Sequence, residues 1–593
     1  MAVSKTLKDL WKIRTLLILF LTPILLLPLP ILIPTREGRC AYVVIMMAVF
    51  WISESLPISV TALLPVFMFP LLNVVEAKVI SKAYMNDTIM VFLGGLCMAV
   101  AVEHWNIHRR IALRILMLVG SEPRWLMLGL MIATWFLSMW ISNTATTAMM
   151  IPIANAILLQ LKDTKDRSKD EGEIEMNGKE SSNDKKAEKE EKEPPVEELQ
   201  VQPTDGSDIS DEAEFTRLKK ALSLCIAYGA NSGGIASLTG TGPNLVLKGQ
   251  TDELYNDRGI ESPVNFASWM AYGFPLSVVV LIVCWCWLNI LYLRCKGLCA
   301  CLSDDPLRKI QSQKVRNVIV TEYKKLGPIT YAQANVMVLF VLLVIFWVSR
   351  DLGGVGGWGD LFDHNLVKDS TPAVFLAVLL FVFPSKLPRV FCLRKNSYEM
   401  TEEEKVEAEA PITPLLTWKV LHEKMPWALF LLLGGGYALA KGCEESGLSY
   451  WIGTQLQVMK GLNPWLLLLI ICYVCAAATE VTSNTATATL VMPILSNLAI
   501  GTGVNPLFYM FPAALSVSFA YMLPAATPPN AIVFGYGHIK VSDMATAGIM
   551  MNILAVPLLL MATATWGNAI FHFDVVPEPF RLNATLPVNI TSS

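Results

Sequence analysis

Hydrophobic residues along this chain gather into uncharged runs, most plainly at 15–34, 266–293 and 332–348. A helix needs about 20 apolar residues to cross a hydrocarbon core of roughly 30 Å, so each run predicts a membrane-spanning helix. Shorter or polar-interrupted runs lie at 40–72, 89–103, 124–161, 220–250, 371–384, 427–441, 464–478, 484–500, 507–524 and 543–570. The pattern predicts an all-α polytopic membrane protein with about eleven full crossings, plus segments that enter the bilayer and return. Polar blocks at 162–217, 302–330 and 394–425 separate the hydrophobic ones, and the last marks a natural midpoint. The first block has KKAEKEEKEPPVEE at its centre and almost no aromatic residues. It cannot bury enough apolar surface to offset chain entropy, and reads as a disordered cytoplasmic loop.

Composition strengthens the membrane reading. Of 593 residues, 53% are hydrophobic and only 16% charged, below the charge fraction of soluble domains. The mean hydropathy is +0.48. The net charge of −3 is diluted by the polar insert and gives no reason to expect a nucleic-acid partner. Lys5, Lys8, Lys12 and Arg14 precede the first run and place the N-terminus in the cytoplasm. That run carries Pro23, Pro28, Pro30 and Pro34 and no small-residue cleavage pattern, so it reads as a retained span. At the other end, Asn583 and Asn589 begin two N-glycosylation acceptor triplets, which predicts an extracellular tail and an odd number of crossings. The twelve cysteines lie mostly in or beside apolar runs without metal-ligand spacing, and read as buried or membrane-edge thiols. Palmitoylation of Cys295, Cys299 or Cys301 is the alternative.

Three motifs recur in the same order across the midpoint. FLGGLCMAVAVE at Phe92 is answered by LLGGGYALAKGCE at Leu432, SNTATTAMMIP at Ser142 by SNTATATLVMP at Ser483, and GTGPNLV at Gly240 by ATPPNAIV at Ala526. The first two pairs share nearly one offset (432 − 92 = 340; 483 − 142 = 341), whereas the third (526 − 240 = 286) is shortened by the charged loop in the first half. Two homologous halves follow. Such duplication is a frequent plan for secondary transporters, whose sites lie at the repeat interface near the membrane midplane.

Each SNTAT follows an apolar run and precedes a helical pattern interrupted by Pro152 or Pro493. Irregular backbone at membrane depth persists only where protein or a water-filled cavity satisfies it, so each SNTAT predicts a loop tip lining a cavity. Ser or Asn before a helix caps it, and the free N–H groups behind the cap attract an anion. Side-chain and backbone oxygens beside them suit a small hard cation. In GTGPN and ATPPN, Gly and Pro break the helix and expose carbonyls, while Thr241 and Thr527 offer hydroxyls. None of these four stretches contains Lys or Arg. An anionic substrate would therefore need bound cations to balance it, each attraction amounting to roughly 4 kcal/mol at 4 Å and an effective dielectric of 20.

Other signals carry less. Glu103, His104 and His108 have near-helical spacing, but Arg109 and Arg110 follow directly and favour a polar membrane-edge cap over a metal pair. Glu54, Lys441 and Glu480 lie in apolar contexts, and Glu480, three residues before Ser483, is the best functional candidate of the three. GTGPNLVLKG matches no nucleotide-binding fingerprint, and no catalytic triad or zinc-protease motif is present, so neither ATP drive nor an enzyme is expected.

The stretches CAYVVIMMAVFWISESLPISVTALLP, AVEHWNIHRRIAL, FLSMWISNTATTAMM, LTGTGPNLVL, LLLGGGYALAKG, SNTATATLVMPIL and MLPAATPPNAIVFGYGH together resemble the divalent anion/sodium symporters, specifically the animal sodium-coupled di- and tricarboxylate transporters. The resemblance implies a plasma-membrane homodimer whose protomers each carry eleven spans and two re-entrant hairpins in two inverted repeats. It implies a scaffold domain and a transport domain that moves like an elevator, importing sodium with a carboxylate such as succinate or citrate. Sodium contacts map onto Ser138, Ser142, Asn143 and Gly240 for one site, and onto Thr479, Thr482, Asn484 and Ala526 for the other. Substrate contacts map onto Asn143, Thr144, Thr241, Asn484, Thr485 and Thr527. One departure stands out: several carboxylate-transporting members resemble SNV at the second tip, where this chain has Thr485. Sulfate-transporting relatives share the architecture and supply the alternative substrate; a passive anion channel is the alternative mechanism. The expected divisions are first-half spans with the first hairpin (1–161), the loop (162–217), the remaining first-half spans and start of the second half (218–393), a polar connector (394–425), second-half spans with the second hairpin (426–572) and the tail (573–593).

Overall fold

The computed structural model describes residues 13–119, 122–159, 206–293, 306–351, 356–363, 366–387, 412–456 and 461–581. Lys5, Lys8, Lys12, Cys295, Cys299, Cys301, Asn583 and Asn589 lie outside these residues, as do 162–205 of the expected loop and most of the connector. The described residues are helical, apart from turns and one isolated bridge between Pro384 and Pro414.

Among the described residues, six helical stretches are long and apolar enough to cross a membrane: Arg14–Leu32, Ala77–His104, Phe266–Leu293, Tyr331–Ser349, Asn484–Thr502 and Val541–Phe571. Shorter apolar helices cover Ile58–Leu71, Asn143–Leu159, Ser370–Val382, Pro464–Thr479 and Pro506–Ser516. Their starts are written locally. Asn265 with Ser268, and Thr330 with Gln333, form reciprocal capping boxes. Asn463 and Asn505 cap helices that open on Pro464 and Pro506, where a missing N–H costs nothing. The run 40–72 is broken at Glu54, which ends the helix Arg36–Ser53 in left-handed geometry (φ 49°) and lets the indole N–H of Trp51 reach the carbonyl of Ile58.

Two polar blocks contain more helix than their composition suggested. The helix Gly206–Gly234 begins twelve residues before the expected loop boundary at 218. Phe215, on this helix, packs on the core. Within the block 302–330, the helix Pro306–Lys325 lies against Ile107–Val119. Arg109 pairs with Glu322 at 2.7 Å, and Arg110 donates to the carbonyls of Leu326, Gly327 and Pro328. The Glu103 carboxylate pairs with Lys424 at 2.6 Å, which fits a polar membrane-edge cap.

Buried side chains form two clusters. The smaller joins Cys40–Ile80 residues, including Trp51 and Phe69, to Leu432, Leu439 and Leu448. The larger contains most of both hairpin arms and the segments that follow them, while Ala486 of the second SNTAT packs in the smaller. The repeated FLGGL and LLGGG motifs are packing devices: a Cβ on Gly94 would sit 2.5 Å from the Ala373 main chain, and one on Gly435 would sit 2.5 Å from the Ala62 carbonyl.

Candidate functional site

Both SNTAT segments are tips of helical hairpins. In the first, Pro123–Ser138 rises to a short turn and the chain restarts as Asn143–Leu159; in the second, Pro464–Thr479 is followed by Asn484–Thr502. Ser142 caps its helix, its Oγ accepting from the Ala145 N–H at 3.3 Å. Ser483 stands at the same place in extended geometry, and its carbonyl accepts from Thr487 N–H. Helix continues through Pro152 and Pro493 rather than breaking there.

The same pair of groups faces across each tip. Ser138 Oγ donates to Asn143 Oδ1 at 2.5 Å and lies 2.9 Å from the Ala230 carbonyl; Thr479 Oγ1 donates to Asn484 Oδ1 at 2.7 Å. Both pairs span five residues, and they are related by the sequence offset (479 − 138 = 484 − 143 = 341). Ser138 and Thr479 are fully buried, whereas both asparagines are half-buried. Thr482 turns inward, bonding Thr487 Oγ1 and the Ala478 carbonyl, so only its main chain remains to act elsewhere.

After each hairpin comes a broken helix. Gly206–Gly234 stops, and Gly242–Asn256 starts after an irregular stretch; Pro506–Ser516 stops, and Pro528–Gly535 starts likewise. Thr241 and Thr527 are the N-cap residues of the restarted helices, with nearly identical backbones (φ −152°, ψ 154° and φ −153°, ψ 147°), and neither hydroxyl is spent on capping. Pro243 and Pro528 sit in the first turns, so few N–H groups compete at these ends.

The halves interlock here. Gly234 abuts the Asn143 amide: a Cβ on it would lie 2.8 Å from Asn143 Oδ1. Gly242, next to Thr241, abuts the second tip, where a Cβ would lie 2.2 Å from Thr485 Oγ1. Asn231 Nδ2 donates to the Ala520 carbonyl at 3.0 Å, and Tyr228 Oη to the Tyr521 carbonyl at 3.2 Å. Asn143, Gly240, Thr241 and Thr485 are thereby drawn into one connected neighbourhood, with Asn484 adjoining it. Access is unequal: Ser142 and Thr144 are exposed, but Thr485, Ala526 and Thr527 are buried. Substituting Gly242→Ala forces the new methyl onto Thr485. Overpacking of about 1–3 kcal/mol predicts a roughly tenfold loss of transport at normal surface level, read by tracer flux and surface biotinylation.

Nearby basic side chains are already matched. Lys248 holds Asp252 at 2.5 Å, and Lys441 lies among Asp257, Glu444 and Glu445. Glu480, buried immediately after Thr479, accepts from the N–H groups of Tyr521, Met522 and Leu523 and from Asn552 Nδ2, at 2.7–3.1 Å. It anchors the second irregular stretch to the hairpin. The first half uses a neutral device at the equivalent place, the Ser237 hydroxyl donating to the Met139 carbonyl.

Sequence reasoning missed Asn231, Asn244, Asn530 and Asn552. Asn244 and Asn530 were visible as the last residue of the GTGPN and ATPPN motifs, but their side chains turn back under the irregular stretches rather than toward the tips. Asn231 and Asn552 carry no local signal.

Comparison with known proteins identifies the family. A family profile described as sodium:sulfate symporter transmembrane region matches residues 8–573. The chain is 46% identical to the Na(+)/citrate cotransporter of Rattus norvegicus over 578 residues, covering 96% of this chain and 97% of that protein. It is 43% identical to Solute carrier family 13 member 2 of Homo sapiens (97% and 96% covered) and 42% identical to the human Na(+)/dicarboxylate cotransporter 3 (97% and 96% covered). Duplicated hairpins, paired broken helices, and full-length similarity to sodium-coupled cotransporters place this multi-pass membrane chain in the sodium:sulfate symporter family.

Proposed function

We propose that the chain is a sodium-coupled symporter that imports a di- or tricarboxylate, of the succinate or citrate class, across the plasma membrane. The observation that carries this is the twofold pairing of a buried hydroxyl with an asparagine oxygen at hairpin tips joined through Gly242 and Thr485. Each pair offers neutral oxygens to one sodium ion: Ser138, Asn143 and main chain at Ser142 and Gly240 in the first half, and Thr479, Asn484 and main chain at Thr482 and Ala526 in the second. The carboxylates lie between, against the Asn143 and Asn484 amides and the hydroxyls of Thr144, Thr241, Thr485 and Thr527. With no basic side chain in these motifs, and Lys248 and Lys441 already paired, sodium supplies the positive charge, so ion and anion bind together.

We further propose that the hairpins and broken helices travel as one body against the helices of the smaller cluster, that the protein is a homodimer, and that the N-terminus is cytoplasmic and the tail extracellular. The joining of the two hairpins and broken helices through Gly242, Thr485, Asn231 and Tyr228 supports the first of these. Import of more positive charge than the substrate neutralises is electrogenic, each net charge gaining about 2.3 kcal/mol per 100 mV. Sulfate is the second reading, favoured by the match to the sodium:sulfate symporter family. Cells expressing the chain should accumulate labelled succinate or citrate in sodium medium and fall to background when choline replaces sodium, with unlabelled sulfate competing weakly. Uptake indifferent to that replacement would overturn the proposal.

A further inference from the structure

We propose that the side-chain amides of Asn244 and Asn530 are positioning residues for sodium: each braces an irregular stretch bordering a hairpin tip, and so sets the sodium dependence of transport rather than the affinity for the carboxylate. The inference rests on the reading of the chain as a sodium-coupled symporter.

When a helix stops at Gly234, its last carbonyls lose the N–H groups that a continuing helix would have supplied. In water such carbonyls are solvated, but at membrane depth they need a partner from the protein. Asn244 Nδ2 donates to the carbonyls of Gly234 at 2.9 Å and Ser237 at 2.8 Å. Asn530 Nδ2 donates to the carbonyls of Ala520 and Leu523, both at 3.0 Å. All three positions obey the offset between the halves (530 − 244 = 520 − 234 = 523 − 237 = 286). Both protons of each amide are therefore spent on main chain, one of them on a carbonyl (Gly234 or Ala520) that accepts no main-chain N–H among the described residues.

The other end of each amide argues that this is its purpose. Asn244 and Asn530 are fully buried, and in both the Oδ1 atom has no hydrogen-bond partner. A buried acceptor without a donor is costly, and a leucine of similar shape would avoid that cost. The same bare oxygen occurs in both halves, so what the donors do offsets it twice. The braced residues stand beside the sodium positions: Gly234 abuts the Asn143 amide, Ser237 accepts from the Gly240 N–H, and Leu523 accepts from the Ala526 N–H. Cation selectivity depends on oxygens held in place, so loosening these stretches weakens sodium binding first.

The two halves are not braced equally. Ala520 also receives Asn231 Nδ2, and the amides of residues 521–523 are held by Glu480. Gly234 has no second side-chain donor among the described residues. Asn244 is accordingly the more critical of the two.

The test is a sodium titration of labelled carboxylate uptake in full-length Asn244→Leu and Asn530→Leu, with the carboxylate KM at saturating sodium and surface protein measured alongside. Leucine keeps the branching and heavy-atom count of asparagine while removing its polar atoms, so an asparagine that merely fills space gives a near-wild-type curve. The expected result is a half-saturating sodium concentration raised about fivefold in Asn244→Leu and less in Asn530→Leu, with the carboxylate KM within about twofold. An unchanged sodium curve in Asn244→Leu overturns the proposal, as does a shift confined to the carboxylate KM. If the variant does not reach the surface, the readout becomes protection of the detergent-solubilised full chain against heating by sodium relative to choline, in Asn244→Leu and Asn244→Ala. The same fivefold displacement supports the role, and coincident curves or loss of all folded protein in both variants assign it to folding alone. Absence of sodium dependence in the unmodified protein would instead defeat the symporter reading itself.

Discussion

Replacing Asn143 or Asn484 with alanine is expected to abolish sodium-driven uptake while the protein still reaches the cell surface. Each residue opens the second arm of its hairpin, a position that alanine occupies well in a helix. What alanine removes is the amide oxygen that meets Ser138 or Thr479 across the tip. On the proposed reading it removes a sodium ligand and a substrate contact at once. An attraction of about 4 kcal/mol between bound cation and anion is then lost with the cation, a factor of about a thousand in binding. Asn143→Ala is the cleaner variant, because the Ser138 hydroxyl retains the Ala230 carbonyl. Thr479 has no second partner of that kind, so Asn484→Ala carries a modest cost to the fold as well. Uptake of labelled succinate and citrate, normalised to biotinylated surface protein, decides the matter. Near-normal transport in both variants would refute the assignment of these tips.

Glu480→Ala should act differently, by preventing the second half from holding its shape. The carboxylate satisfies three consecutive main-chain N–H groups and the Asn552 amide, with 4% of Glu480 exposed. Each buried donor left bare costs about 1–3 kcal/mol, so the sum approaches the whole stability of a typical domain. The expected outcome is retention inside the cell and little mature protein at the surface. Glu480→Gln keeps one acceptor oxygen but turns an NH2 toward main-chain donors, and should fall between alanine and wild type. Surface biotinylation against total protein provides the measurement; full surface expression of Glu480→Ala would contradict the anchoring role. Of the intramembrane acids singled out from sequence, Glu480 thus acts on the main chain of residues 521–523, whereas Glu54 ends a helix in left-handed geometry.

The helical, membrane-spanning character of the chain was legible because about 20 consecutive apolar residues have few other uses. The two tips were legible because duplication wrote them twice at one offset, and a helix that restarts in lipid needs capping residues and Gly-Pro breaks that are uncommon elsewhere. Composition misled where helix stability came from contacts it cannot register. Residues 206–217 are acidic and polar, yet they continue the helix that runs to Gly234 in the core. The polar helix Pro306–Lys325 is held by Arg109, Arg110 and Arg114, some two hundred residues earlier in the chain.

Sequence alone therefore determined that the chain is a helical, multi-pass membrane protein, that three motifs recur in order along it, and which hydroxyls and amides stand at the breaks, because each of these is a local pattern of polarity or a repeated string. The tertiary structure decided the rest. It set Gly242 against Thr485, sent Asn231 to Ala520 and Glu480 to residues 521–523, and turned Asn244 and Asn530 back beneath the irregular stretches. Those pairings satisfy polar groups left bare by broken helices, and which partner satisfies which group depends on how two halves pack, a relation that no local pattern encodes.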